Sequence, residues 1–244
     1  MHFVVIENSF YFSADDEIHG DELWKSDGTE EGTVMVKDIY KGSSSSCPYY
    51  ITGVGNNLYF TADDGVNGDA LWKSDGTQEG TVMVKGNLYW NAFPFASIGD
   101  TLFFGNEDDE HGIELWKSDG TEVGTVMVKD IYPGYQDSLS NLENMSATVL
   151  NNILYFNAES DLFGSEVWRT DGTEEGTYIV KDIRDGTPPS YPFNVTTRYN
   201  KMFFSAYDNS GLNIYISDGT EEGTIKLCGY EDTNRNDTDP HFFS

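Results

Sequence analysis

Three pairs of adjacent aspartates, Asp15–Asp16, Asp63–Asp64 and Asp108–Asp109, stand in the short glycine-containing segments "ADDEIHG", "ADDGVNG" and "NEDDEHG". Carboxylate oxygens gathered this closely are the hard ligands that Ca²⁺ takes, so the six acids are candidate metal ligands. They lack the D-x-D-x-D-G spacing of a calcium loop, and they read equally as turn residues facing water. A second set is aromatic: Tyr49, Tyr50, Trp90, Phe93, Tyr135 and Tyr191 fall in segments that otherwise have loop composition. Sugar rings stack their C–H faces on such side chains, while Asp and Asn exchange hydrogen bonds with the hydroxyls. Phe93 and Tyr191 also stand immediately before prolines, where an aromatic can instead plug the start of a strand. Arg198 occupies a position that is Ile6, Val54, Ile98 or Leu150 elsewhere in the chain. A charge there needs a partner or water, which makes it a further candidate ligand contact.

Nucleophilic and acid–base chemistry finds less support. The histidines are His2, His19, His111 and His241. His19 and His111 share a loop position where other segments carry Asn67, Phe163 and Ser210, which is decoration rather than a general base. No G-x-S-x-G, H-E-x-x-H or phosphate-binding glycine loop is present. The sequence therefore leads to the expectation of a chain that is not an enzyme.

With 14% aromatics, 38% hydrophobics and 25 glycines, the composition is that of many strands and tight turns rather than a disordered chain. A net charge of −28 repels phosphate backbones and anionic membrane faces, which argues against a nucleic-acid partner. No apolar run has the length of a membrane helix and no charged-then-apolar leader opens the chain, so no membrane insertion is expected. Cys47 and Cys228 could staple distant segments but do not make a disulfide scaffold. N-glycosylation sequons begin at Asn144, Asn194 and Asn236.

These residues are positioned by a repeated phrase. "ELWKSDGTEEGTVMVKDIY" from Glu22 returns as "ALWKSDGTQEGTVMVKG" from Ala70 and "ELWKSDGTEVGTVMVKDIY" from Glu114. Looser copies follow, "EVWRTDGTEEGTYIVKDI" from Glu166 and "NIYISDGTEEGTIKLCG" from Asn213. The anchors Trp24, Trp72, Trp116, Trp168 and Tyr215 lie 48, 44, 52 and 47 residues apart, with no helical period between them. Each unit divides into four strands: a, an apolar stretch; b, the aromatic run "LYFTA" and its counterparts; c, "ELWKSD"; and d, "TVMVKD". The expected fold is all-β, a five-bladed β-propeller with four antiparallel strands per blade, forming one domain over residues 1–244. Residues 231–244 resemble the start of another strand a, and either close the ring or begin a further repeat. The tryptophans and the motif aspartates Asp27, Asp75, Asp119, Asp171 and Asp218 read as structural, since every unit has one. Lys37, Lys85, Lys129 and Lys181 fall on the outer strand, where a charge discourages edge-to-edge pairing.

The phrase resembles the ELWxxDGT-repeat proteins over essentially the whole chain, and that resemblance implies a secreted or surface-exposed, non-enzymatic module. The b–c and d–a loops share one face and vary between units, whereas the a–b and c–d turns on the other face repeat. The expected function is multivalent carbohydrate binding through the variable face. The alternatives are a structural or adhesive repeat that contacts cell-surface or matrix proteins and self-associates, and, third, a glycosidase-like enzyme.

Overall fold

In the computed structural model, the described residues are 3–88, 92–139 and 145–229. They form five four-stranded antiparallel sheets, I to V, spanning residues 4–37, 49–85, 93–129, 147–181 and 193–229, with no helix among them. In every sheet the strands lie in chain order, a–b–c–d. The register of b against c is the same throughout. Phe12 faces Trp24, Phe60 faces Trp72, Phe104 faces Trp116, Phe156 faces Trp168 and Phe204 faces Tyr215. Large aromatics directly opposite one another are the pairs that stabilise a sheet.

Between c and d the register shifts by one residue at the anchor aromatic, as between Leu23 and Trp24. The same bulge recurs in all five sheets. It leaves one residue of d unpaired, and in four sheets that residue is a valine, Val36, Val84, Val128 or Val180, turned into the core. The sheets then stack face to face in chain order, each a strand touching that of the next sheet. Their cores are shared between neighbours. Leu23 and Val36 of sheet I pack with Phe60, Ala62 and Trp72 of sheet II, and the pattern repeats down the array.

The c–d turn explains the rest of the phrase. Asp27 Oδ1 accepts the amide and the hydroxyl of Thr29 at 2.9 and 2.7 Å. Thr29 Oγ1 accepts the Gly32 amide at 2.9 Å, and Thr33 donates its hydroxyl to the Thr29 carbonyl at 2.6 Å. The other four turns keep these contacts, and in all five the threonine donors hold the aspartate below the usual carboxylate range. The two glycines serve different ends. Gly28 has φ 92, as a left-handed turn residue requires. Gly32 is there for space, because a Cβ would run into the Asp27 carboxylate. The same holds for Gly124 over Asp119, so Gly124→Ala is expected to destabilise by about 2 kcal/mol, the usual scale of overpacking. Chemical denaturation checks this, and a loss below roughly 0.5 kcal/mol would show the turn to be looser than drawn.

The strand-d lysines have a role that the edge-protection argument missed. Lys37 donates to the Thr81 carbonyl of the next sheet at 2.6 Å and lies over the Trp72 ring. Lys85 reaches Thr125, Lys129 reaches Thr177 and Lys181 reaches Thr224 in the same way. Each lysine ties its sheet to the turn of its successor. The tail at 231–244 and the side chain of Cys228, and with it a Cys47–Cys228 bond, lie outside what is described.

Candidate functional site

The d–a loop behaves alike in three of its four copies. A glutamate at the start of strand c is fully buried and accepts from the loop that passes above it. Glu22 takes the Ile39 and Tyr40 amides at 2.9 and 3.1 Å and the Ser46 hydroxyl at 2.6 Å. Glu114 repeats this with Ile131, Tyr132 and Ser138, and Glu166 pairs with Ser190. Sheet II departs from the pattern. Alanine replaces the glutamate, as Ala70, and the loop is four residues shorter: Phe93, paired with Gly105 as Tyr49 is with Thr61, follows Lys85 by eight residues, where Tyr49 follows Lys37 by twelve. The loop amides turn instead to backbone carbonyls, Asn87 N–H to Asn67 O at 3.0 Å and Leu88 N–H to Asp69 O at 2.8 Å.

Beside this loop lies a cleft of about 500 Å³ between sheets II and III. Asn67, Asn87 and Lys85 border it on one side, and Asn106, Glu107, Asp108, Asp109 and Trp116 on the other. Asn106 breaks the repeat in the same place. Its position in strand b is alanine in all other units, as Ala14, Ala62, Ala158 and Ala206. The side chain is 2% exposed. Its Nδ2 donates to the Glu107 carbonyl at 2.7 Å, and its Oδ1 is buried without a partner among the described residues. A buried amide oxygen in that state costs about 1–3 kcal/mol unless something donates to it. Trp116 is wedged between Phe104 and the Lys85 ammonium, 5.8 Å from its ring, and offers the cleft a rim rather than an open face.

The acidic loops fold onto themselves. Asp16 Oδ1 accepts the Ile18 and His19 amides, and its Oδ2 lies 2.7 Å from His19 Nδ1. Asp15 accepts Glu17 N–H, and Asp63 and Asp64 accept the amides of Gly65, Val66 and Asn67. Asp108 Oδ1 takes the Glu110 and His111 amides and the His111 ring. Burial works against ionisation of Asp108, but these donors outweigh it and hold its pKa down, while Asp108 raises that of His111. Among the described residues no three His, Cys, Asp or Glu side chains are grouped to hold a metal. Asp108 and Asp109 line the cleft, Asp64 accepts from the Nδ2 of Asn67 at its border at 2.7 Å, and Asp15 and Asp16 lie in the equivalent loop of sheet I.

The aromatic candidates are dispersed. Tyr49, at the start of strand a of sheet II, and Tyr135 and Tyr191, in two separate loops, are exposed, and no ring contact joins them among the described residues. Tyr50 is turned inward onto Phe93. Trp90 lies outside the described residues. Arg198 ends strand a of sheet V (Phe193–Arg198) at its a–b turn, exposed and over the Tyr199 ring, at the opposite end of the strand from Tyr191. A smaller cleft of about 240 Å³ lies between sheets III and IV, lined by Asp137, Ser138, Asn157 and Glu159. Sequence reasoning missed Asn106. Its signals were the "LFFGN" strand set against "LYFTA", and the 44-residue interval before Trp116, the shortest of the four.

No family profile and no curated protein matches the sequence. Solved structures share the fold. A prolyl endopeptidase aligns with TM-score 0.54 at 9% identity, over 93% of this chain and 35% of its own. Prolyl oligopeptidase B from Galerina marginata aligns with TM-score 0.58 at 8% identity, over 93% of this chain and 36% of its own. Oligopeptidase B from Leishmania major aligns with TM-score 0.53 at 11% identity, over 94% and 34%. The chain thus spans about a third of the length of the proteins it matches. These proteins are peptidases, which corrects the expectation that the chain is not an enzyme. The missing motifs supported that expectation only on the premise that such a fold stands outside catalysis, and this fold occurs within enzymes.

Proposed function

We propose that the five sheets are the blades of a β-propeller of the ELWxxDGT-repeat kind, secreted or surface-exposed, that binds carbohydrate through the face carrying the b–c and d–a loops. One observation carries the reading. The array departs from its own repeat where a cleft opens, and there it buries an amide oxygen that has no partner among the described residues. A sugar hydroxyl is a donor of the right kind for Asn106 Oδ1, and the acids and amides around it can accept and donate to the neighbouring hydroxyls. The cleft joins the apolar surface of Leu88 and Trp116 to amides, acids and a lysine, the mixture that a site for one or two sugar rings needs. The smaller cleft between sheets III and IV supports more than one point of attachment.

The rival is an adhesive repeat that meets protein partners only. A glycan array of the purified chain, run with calcium and with a chelator, separates the two. Binding in both conditions is the expected result, since the loop carboxylates are occupied by their own amides. Binding only with calcium would assign these loops to a metal after all. Silence in both would overturn the carbohydrate reading.

A further inference from the structure

The two walls of the cleft between sheets II and III differ in what they can exchange with a ligand. On the sheet III side the polar groups are acceptors. Asn106 turns its Nδ2 onto the Glu107 carbonyl, and the reverse orientation would set oxygen against oxygen. Its Oδ1, buried and without a partner among the described residues, is therefore the atom left to receive a donor. Glu107, Asp108 and Asp109 follow along the same wall, and ionised carboxylates only accept. On the sheet II side two of the donors are engaged. Asn67 Nδ2 goes to Asp64 Oδ2 at 2.7 Å, and Lys85 Nζ goes to the Thr125 carbonyl at 3.3 Å while lying over the Trp116 ring.

Charge points the same way. Three carboxylates line the cleft against one ammonium. His111, on the same loop, lies 2.8 Å from Asp108 and 3.8 Å from Asp130, so its proton offsets those acids and leaves Glu107 and Asp109. The chain as a whole carries −28, a field that draws cations in and turns anions away. Acids alone do not single out this loop. Sheet I follows its strand b with Asp15, Asp16 and Glu17, three acids at the same positions, but Ala14 stands there in place of Asn106. A bare metal ion does not fit either, since among the described residues no three His, Cys, Asp or Glu side chains are grouped to hold one.

Resting on the carbohydrate reading of the same cleft, we infer that the sugar it takes carries a free primary ammonium: an amino sugar whose nitrogen is not acylated. An ammonium presents three donors and no acceptor, the complement of the sheet III wall. Its hydrogen bonds to carboxylates are charge-assisted and roughly twice as strong as those of a neutral donor. The sugar ring supplies a C–H face for Leu88 and Trp116, and hydroxyl oxygens to which Lys85 and Asn87 can donate. N-acetylation removes the charge and two of the three donors. A uronate or a sulfate reverses the charge altogether.

Calorimetric titration at pH 6 and physiological salt, with a glucosamine disaccharide, its diacetylated form and a uronate-containing disaccharide, tests the selectivity. The free-amine sugar should bind at least about tenfold more tightly than the diacetylated one, the worth of one hydrogen bond gained by a charged group, and the acidic sugar should bind weakest. Asp109→Asn, a nearly isosteric change at an exposed position, should weaken the amino sugar by about fivefold or more without moving the melting temperature or the affinity for the diacetylated form. Glu17→Gln removes the same charge from the equivalent position of sheet I and should alter neither affinity. Equal or tighter binding of the diacetylated sugar would overturn the inference and leave the carbohydrate reading standing. Equal losses in the two variants would overturn it too, as the mark of attraction to the acidic surface at large. Nα-acetyl-lysinamide, an ammonium without a sugar ring, should bind far more weakly; parity with the amino sugar would assign the cleft to a protein side chain instead. If none of the three disaccharides binds, the carbohydrate reading falls, and the amino sugar with it.

Discussion

Glu114→Ala is expected to destabilise the protein by roughly 3 kcal/mol, although the residue it removes is charged and the residue it introduces is a good neighbour for an apolar core. The carboxylate accepts the Ile131 amide at 2.8 Å, the Tyr132 amide at 3.1 Å and the Ser138 hydroxyl at 2.6 Å, all beneath the d–a loop. Ser138 keeps a second acceptor in the Ile113 carbonyl at 3.2 Å, so the damage falls on the two amides. Each buried donor left without an acceptor costs about 1–3 kcal/mol. Sheet II shows how the loss is avoided. There Ala70 is tolerated because the shorter loop brings Asn87 and Leu88 within reach of backbone carbonyls. Grafting residues 86–92 in place of residues 130–145, which run between the same two strand positions, in the Glu114→Ala background should recover most of the stability. Denaturant titrations of the three proteins decide the matter. A single-variant loss under about 1 kcal/mol, or no recovery on grafting, would show that the glutamate does not hold the loop.

The same carboxyls give the fold an unusual pH profile. Desolvation pushes Glu114 and Glu166 up to about 7, against the pull of the hydroxyl and amide donors, and raises Glu22 as well. An acid whose pKa is higher in the folded state holds its proton more tightly there. Its contribution is fully present below the unfolded value near 4.5 and is lost as pH climbs through about 7. A displacement of that size is worth roughly 3 kcal/mol at each of the two sites. His19 and His111, raised by their aspartate partners, act in the same direction. The motif aspartates act oppositely: their lowered pKa values contribute stability above about 4 that disappears as pH falls below it. Thermal stability should therefore peak near pH 5, fall towards pH 8 and fall again in acid. A Glu114→Gln, Glu166→Gln variant should lose most of the slope between pH 5 and 7. A wild-type profile that rises from pH 5 to 8 would contradict the assignment.

Which features could be read in the sequence follows from where their causes lie. The strands, turns and anchor pairs are local, and five copies average out the noise: "SDGTEEGT" spells its own turn, and Phe60 opposite Trp72 follows from counting along a hairpin. The lysines were placed on the right strand but their tie to the next sheet could not be read, because their acceptors sit about 40 or more residues away. Position in the repeat likewise led to a functional reading of Arg198, which the fold carries to the far end of its strand. Asn106 escaped notice for the opposite reason. It is a single change at a small buried position, and it gains meaning only when the shortened loop of the neighbouring sheet is placed beside it.

That residue also offers the most direct test. Asn106→Ala restores what the other four units carry and removes the orphaned oxygen, leaving a methyl group where the amide stood. Wild type and variant should be compared on the same glycan array, with melting temperatures measured alongside. If the cleft is a carbohydrate site, binding falls at least about tenfold while the melting temperature holds or rises, since one lost donor contact to Glu107 is set against a removed desolvation cost. Undiminished glycan binding, or a melting temperature several degrees lower with binding intact, would make Asn106 a packing residue and contradict the account.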